Sequence, residues 1–401
     1  MLPVARVARP AAPFPAGLAT CPTVRSGAAQ NMSSGSSAVR AAVIVQPGGP
    51  VAVREFAPPL LEPGGAILET VYSEVCGTDV HLLHGRLPGA PYPLIPGHAN
   101  VGRLIALGGE VRDVDGRPLQ LGDTVTFLDV HGTCHECWYC LVAQASTRCP
   151  QRRVYGITYG AEDGLLGGWS ELIYLKPGVR ILPLPPGLDP LTFIAGGCAL
   201  PTAFHAVRRG GVGLGDTVAV QGSGPVGLMA TALAKLAGAV LVITLGAPAA
   251  RLRVARALGA DVVVDIGEVP SAERPGAVRE LTAGRGADVT LECTGNPEAV
   301  PEGMRMTREA GTYVVVGQYT DAGPTTFSPH ADLNRRHLDV RACWGIDLSH
   351  LYRALHLLAG RRDELPWREM ISGIYSLSRA AEALADVEQL RAVKAVLSPS
   401  T

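Results

Sequence analysis

The chain has 401 residues, more than one small core requires, and its length alone points to two or three domains. Its 35 basic and 36 acidic residues leave a formal net charge of -1, which excludes the basic footprint of a nucleic-acid binder and any acidic tail. No apolar run approaches the roughly 20 residues that span a bilayer, so a soluble protein acting on small molecules is expected, with neither membrane nor nucleic acid as partner.

Residues 1 to about 38 are rich in Ala, Pro, Arg, Gly and Ser without periodicity and read as a disordered extension. The segment lacks the uninterrupted apolar stretch of a secretory signal, while its arginines without acids leave open both a transit peptide and a translation start at Met32. From Ala41 the texture changes to short runs separated by Gly/Pro turns. These predict strands at 42–46, 51–56, 66–72, 101–107 and 123–127 and, from their spacing, an irregular β-barrel-like domain. After about Pro201 strand and helix patterns alternate: strands at 217–221, 240–245, 261–265, 289–292 and 311–317, helices at 228–238 and 250–258. That alternation implies an α/β fold with a parallel, doubly wound sheet. From about Trp344 a helical pattern follows, then a last strand at 393–397 that is expected to return to the first domain.

Two local patterns carry chemistry. The strand 217–221 runs into Gly222-Ser-Gly224-Pro225-Val226-Gly227, and a helical pattern follows. In that setting G-x-G-x-x-G binds a dinucleotide: the glycines let the backbone bend and approach the pyrophosphate, and the helix N-terminus offers free N–H groups. The second pattern is Cys134-x2-Cys137-x2-Cys140-x8-Cys149. Four thiolates within sixteen residues can close a tetrahedron around zinc and leave no open position, so the expected site is structural. The remaining cysteines, Cys21, Cys76, Cys198, Cys293 and Cys343, are scattered. An odd total of nine and the clustering favour metal over disulfides and a reducing cytoplasm. Cys76, His98 and Cys198 have the chemistry of a catalytic zinc's three protein ligands, but spacing alone does not join them.

Cys76-Gly-Thr78-Asp79-Val-His81, Gly97-His98, the four-cysteine lobe, Cys198-x3-Thr202, the turn at 222–227 and the closing Val393-Lys394-Ala-Val-Leu occur in one order. In these six motifs, over about residues 39–399, the chain resembles the zinc-containing medium-chain dehydrogenases/reductases, the alcohol dehydrogenase superfamily. The resemblance implies a GroES-like catalytic domain (39–200, zinc lobe 131–150), a Rossmann domain (201–344), and a return to the catalytic domain (345–401). It implies two Zn²⁺ per chain: a catalytic ion on Cys76, His98 and Cys198, and a structural ion on Cys134, Cys137, Cys140 and Cys149. Zinc would lower the pKa of an alcohol, and the hydride would pass to a nicotinamide. Thr78 would take the substrate proton, His81 would be the outer end of the relay, and Asp79 would orient the His98 imidazole. Gly222, Gly224, Pro225, Val226, Gly227, Gly246, Arg251, Thr202, Thr294 and Lys394 would meet the NAD(P). His84 and His205 match no functional position. Relatives are commonly dimers or tetramers, so a homodimer or homotetramer is expected.

Three departures stand out. Ala99 follows Gly97-His98 where the family usually has Glu, removing a carboxylate near the zinc. The lobe has eight residues before its last cysteine where seven is commoner. Gly246 stands where an NAD-preferring member has Asp, so the ribose anchor is absent; no cation follows at 247–250, and the balance leans slightly to NAD. The competing functions are a reductase of activated C=C or iminium bonds, disfavoured by retention of Thr78 and His81, and a non-catalytic nucleotide-binding protein, disfavoured by the intact ligand set. Substrate-pocket walls are expected from 86–92, 155–159 and 318–321.

Overall fold

The short runs of the first half are strands because their β-branched residues are buried on a pleated surface between Gly and Pro turns. The computed structural model describes residues 38–399, so the expected N-terminal extension lies outside the described residues. A hairpin of Val39–Ile44 and Val51–Phe56 precedes a seven-stranded sheet. Its strands run in the order Ile371–Ser376, Lys394–Ser398, Ala66–Val75, Asn100–Leu107, Thr124–Phe127, Ile181–Pro183, with Leu172–Leu175 also paired to Ala66–Val75. Ala66–Val75 is the spine of this sheet. Ile67, Leu68 and Val75 are buried, the first two in a cluster with Leu104, Val125, Ile173 and Ile181. The last strand lies antiparallel to the spine, with Ala395 opposite Val75 and Val396 opposite Glu74. This register brings the two chain segments 74–76 and 394–395 to one point.

The second sheet has six parallel strands in the order Val262–Asp265, Leu241–Gly246, Thr217–Gln221, Ala287–Glu292, Thr307–Val315, Asp339–Ala342. This is the doubly wound, Rossmann-type order that the alternation of strands and helices predicts. Val218, Ala219 and Val220 of the central strand are wholly buried, as a strand covered on both faces requires. One apolar cluster includes Val218, Leu228, Leu233, Leu291 and Leu355 together with Val101, Phe193 and Val396, so the two sheets share a continuous core. Ligands in such a sheet bind where the strand order reverses, outside the carboxyl ends of the strands. Here that point lies beyond Gln221 and Glu292. Among the described residues no single helix is long and apolar enough to cross a membrane.

Candidate active site and metal centres

The spine strand ends at Val75, and Cys76 is the N-cap of the helix Gly77–Leu83. Asp79 stabilises that turn: its Oδ2 accepts the Cys76 N–H at 2.8 Å, and its Oδ1 accepts the Gly97 N–H at 3.4 Å. The carboxylate therefore ties the backbone of one ligand candidate to that beside another. Asp79 makes no hydrogen bond to His98, whose Nδ1 is buried without a partner, and acts on the imidazole through its charge. Cys198 arrives from the turn between the helices Pro190–Gly196 and Ala199–Gly210. The ligand atoms of Cys76, His98 and Cys198 all lie within 4.8 Å of one another. Three segments far apart in sequence thus converge on one point.

The electrostatics of this trio favour positive charge. A hydrogen bond with Cys198 pushes the Cys76 thiol well up, and the same bond draws Cys198 down to about 7. Burial opposes charge on His98, but Cys198, Asp79 and Asp129 together hold its proton up to about 10. Two soft sulfurs, one orphaned ring nitrogen and surrounding acid suit a divalent ion of zinc type with three protein ligands and an open position.

The four-cysteine lobe passes a separate geometric test. Sulfurs about 2.3 Å from a tetrahedral zinc are about 3.8 Å apart. Cys134–Cys140, Cys137–Cys140 and Cys149–Cys134 sulfurs are 4.0, 3.5 and 3.6 Å apart, too far for disulfides and right for a shared ion. Backbone N–H groups of Cys134 and Cys137 point at the sulfurs of Cys149 and Cys134. His135 is outside this group, so the extra residue in the lobe leaves the all-cysteine set intact.

Sequence reasoning missed Glu74. Its side chain is buried, Oε1 lies 2.6 Å from Lys394 Nζ, and Oε2 accepts the Cys198 N–H at 2.7 Å. Cys198 Sγ is 3.6 Å from Oε1. The ion pair closes against Gly197, where a Cβ would stand 1.9 Å from Glu74 Oε2. Glu74 is hydrogen-bonded through its backbone to Ala99. The position after Gly97-His98 thus has no carboxylate, as expected, and Glu74 places one beside Cys198 from the neighbouring strand. The expectation for Lys394 is corrected: wholly buried and bonded to Glu74 and Gly196 O, it does not face a cofactor.

A cleft of about 340 Å³ opens over the trio. Thr78 and His81, three residues apart on the helix Gly77–Leu83, both line it. Burial, with Arg86 and His84, pushes the His81 pKa down, favouring the neutral imidazole. The opposite wall is the dinucleotide side: Gly224, Pro225, Val226, Thr202 and Thr294. Gly222 has φ +105°, and a Cβ on Gly227 would stand 1.9 Å from Gly222 O, so glycine is required at both for this turn. The helix Pro225–Leu236 begins at Gly224 without a side-chain cap, leaving its N–H groups free for an anion. Glu292, also unremarked in the sequence, accepts N–H groups of Thr294, Gly295 and Gly317 and fixes the loops beyond the sheet.

Other expectations are redistributed. Arg251 is buried and donates to Ala392 O, so it is committed to the fold and not to a ribose or phosphate. Of the expected wall segments, Ile157 and Tyr319 do line the cleft, but nothing from 86–92 does; Phe127, Arg152, Phe193 and Trp344 take part instead. His84 pairs with Glu388, and His205 stacks on His350, both structural contacts.

The chain matches the family model "Alcohol dehydrogenase GroES-like domain" over residues 62–186 and "Zinc-binding dehydrogenase" over residues 225–360. Its sequence is similar to 5-exo-hydroxycamphor dehydrogenase of Pseudomonas putida, 33% identical over 362 residues that cover 89% of this chain and 98% of the relative. Its structure is similar to the alcohol dehydrogenase of Thermotoga maritima, with TM-score 0.86 and 31% identity over 90% of this chain and all of the other. A protein of Sinorhizobium meliloti 1021 bound to NADP is also similar, with TM-score 0.79 and 28% identity over 91% of this chain and all of that one. A relative one-third identical along nearly its whole length, on a shared fold, establishes that the chain belongs to the zinc-type alcohol dehydrogenases of the medium-chain dehydrogenase/reductase superfamily and is an oxidoreductase.

Proposed function

We propose that this chain holds two zinc ions and transfers a hydride between an alcohol, or its carbonyl product, and a nicotinamide dinucleotide. The observation that carries the reading is the convergence of Cys76, His98 and Cys198 within 4.8 Å in a cleft whose other wall is the glycine turn. Bound there, zinc would stabilise the negative charge of an alkoxide, and the dinucleotide would supply or accept the hydride.

The chain's own residues do the rest. Glu74 and Asp79 hold the ligand-bearing turns through backbone N–H groups. Thr78 takes the alcohol proton, and His81, 3.5 Å from Thr320 Oγ1, passes it outward. Phe127, Phe193 and Leu351 exclude water from the cleft. NAD is favoured slightly over NADP: Gly246 offers no ribose acceptor, and Arg251, spent on Ala392 O, offers no phosphate clamp. Division at about residues 200 and 344 accords with the two sheets, whose last strand pairs with the spine. A homodimer or homotetramer is favoured by the free edge of the strand Asp339–Ala342, where Val340 is exposed. The presence of both Thr78 and His81 in the cleft speaks against reduction of C=C bonds, which needs no alkoxide relay.

The test is NAD(P)H formation across a panel of alcohols with the zinc-loaded wild type and Thr78→Val. Oxidation by the wild type, and a loss of about 10² to 10⁴-fold in the variant with zinc retained, are expected. No oxidation of any alcohol by zinc-replete protein would overturn the function; an undiminished variant would show that the proton leaves by another route.

A further inference from the structure

Resting on the dehydrogenase reading, we infer that Arg152 selects substrates that carry an anionic oxygen group, a carboxylate or a phosphate, at the end remote from the reacting carbon. Arg152 follows the last cysteine of the lobe, with its N–H bonded to Cys149 O at 3.1 Å, and its side chain lines the cleft above Cys76, His98 and Cys198. Its Nε is buried without a hydrogen-bond partner, and among the described residues no carboxylate lies within ion-pair distance of it.

Arg152 is half-buried, and a buried N–H of a guanidinium normally has a partner, because an unmet buried donor is costly. Here the charge meets the Trp344 ring and the field of Asp129 without a direct ion pair. The Arg152 Cζ lies 5.4 Å from the centroid of the Trp344 ring, which stacks on Tyr319 at 5.7 Å and carries Arg148 at 4.0 Å on a face. Two cations and two aromatic rings form one wall, with the Arg152 guanidinium carbon itself turned toward the Trp344 ring. Asp129 shares the cleft without reaching ion-pair contact with Arg152. The surrounding wall is largely apolar, so the terminal N–H donors of the guanidinium are the feature that would discriminate, and carboxylate and phosphate are the groups they fit in a bidentate manner. Apolar analogues of the same length would leave those donors unmet, the situation in which polar sites discriminate most strongly.

The experiment measures kcat/KM of the zinc-loaded enzyme for 1-butanol, 4-hydroxybutanoate and 4-hydroxybutyl phosphate. Succinate and succinamide binding are compared in parallel through tryptophan fluorescence, to which Trp344 contributes. At least one charged substrate should exceed 1-butanol by about tenfold or more, and succinate should bind correspondingly more tightly than succinamide. The better of the two anions identifies the source. In Arg152→Gln both preferences should collapse toward unity with zinc content unchanged. If that variant does not fold, Arg152→Met, which keeps an unbranched side chain there without the charge, carries the same expectation. Equal use of charged and neutral substrates by the wild type would overturn the inference, as would a preference that survives loss of the guanidinium, since the anion would then sit on the metal. Failure to oxidise all three substrates would count against the dehydrogenase reading, and the succinate comparison would still decide the role of Arg152.

Discussion

Ser223 and Gly246 meet edge to edge. A Cβ on Gly246 would stand 2.3 Å from Ser223 Oγ, 2.5 Å from Ser223 Cβ and 2.9 Å from Ser223 N, and the Ser223 hydroxyl is bonded to Ala247 O. Sequence alone shows that an acid is missing at 246 but not that a serine fills its place. The single change Gly246→Asp, which the sequence suggests as a way to NAD selectivity, therefore overpacks the site. Overpacking costs about 1–3 kcal/mol, so the variant should lose several degrees of Tm. Ser223→Gly with Gly246→Asp should recover much of that loss and shift the kcat/KM ratio toward NAD, leaving only a few tenths of an ångström to be absorbed at Ser223 N. A single variant as stable as its parent would contradict this packing. At the same scale the two candidate ligand clusters were legible, the lobe from its cysteine spacing and the trio from the family resemblance. Glu74 and Arg152 were not. One lies among ordinary strand residues and the other beside a second arginine, and their burial and partners exist only once the chain is folded.

The helix Pro190–Gly196 is the element that delivers Cys198, and its start is built from local chemistry. Asp189 is its N-cap, accepting the N–H groups of Leu191 at 3.0 Å and Thr192 at 3.1 Å ahead of Pro190, and Arg368 Nη2 lies 2.7 Å from its other oxygen. Burial opposes the charge, but bonds from Thr192 and Arg368 hold the Asp189 carboxyl below its ordinary value of 3.8. Its contribution is thus fully present above that value and is lost as pH falls through the lower folded value. Asp189→Ala should cost about 1 kcal/mol, within the 0.5–2 range of caps, and flatten the acid limb of stability below pH 4. A cap variant with unchanged urea midpoint at pH 7 would contradict the assignment. Most core strands were legible to within a few residues, since runs such as Thr217–Gln221 are apolar and β-branched. The strand Asp339–Ala342 was not, because an edge strand leaves Asp339, Val340 and Ala342 exposed and carries too little pattern. The helix Gly77–Leu83 escaped notice for a different reason: its seven residues bury only Asp79 and Leu82, so no periodicity announces it.

For the whole molecule, the doubly wound order and the sheet-rich first half follow from periodicity, whereas the position of the cleft follows from contacts no local window contains. Register places Val396 opposite Glu74, and Lys394 thereby closes the ion pair behind Cys198. The last residues of the chain thus brace the cluster of Cys76, His98 and Cys198. On the proposed reading the two ligand sets bind two ions with separate duties: the lobe supports folding, and the cleft supports chemistry. Zinc stoichiometry of the purified wild type and Cys76→Ser is the decisive measurement. Two zinc ions per wild-type chain are expected and one in a folded, inactive Cys76→Ser, with Cys149→Ser as the variant that loses solubility. Two ions retained in an active Cys76→Ser, or equal loss of fold in both variants, would contradict that reading.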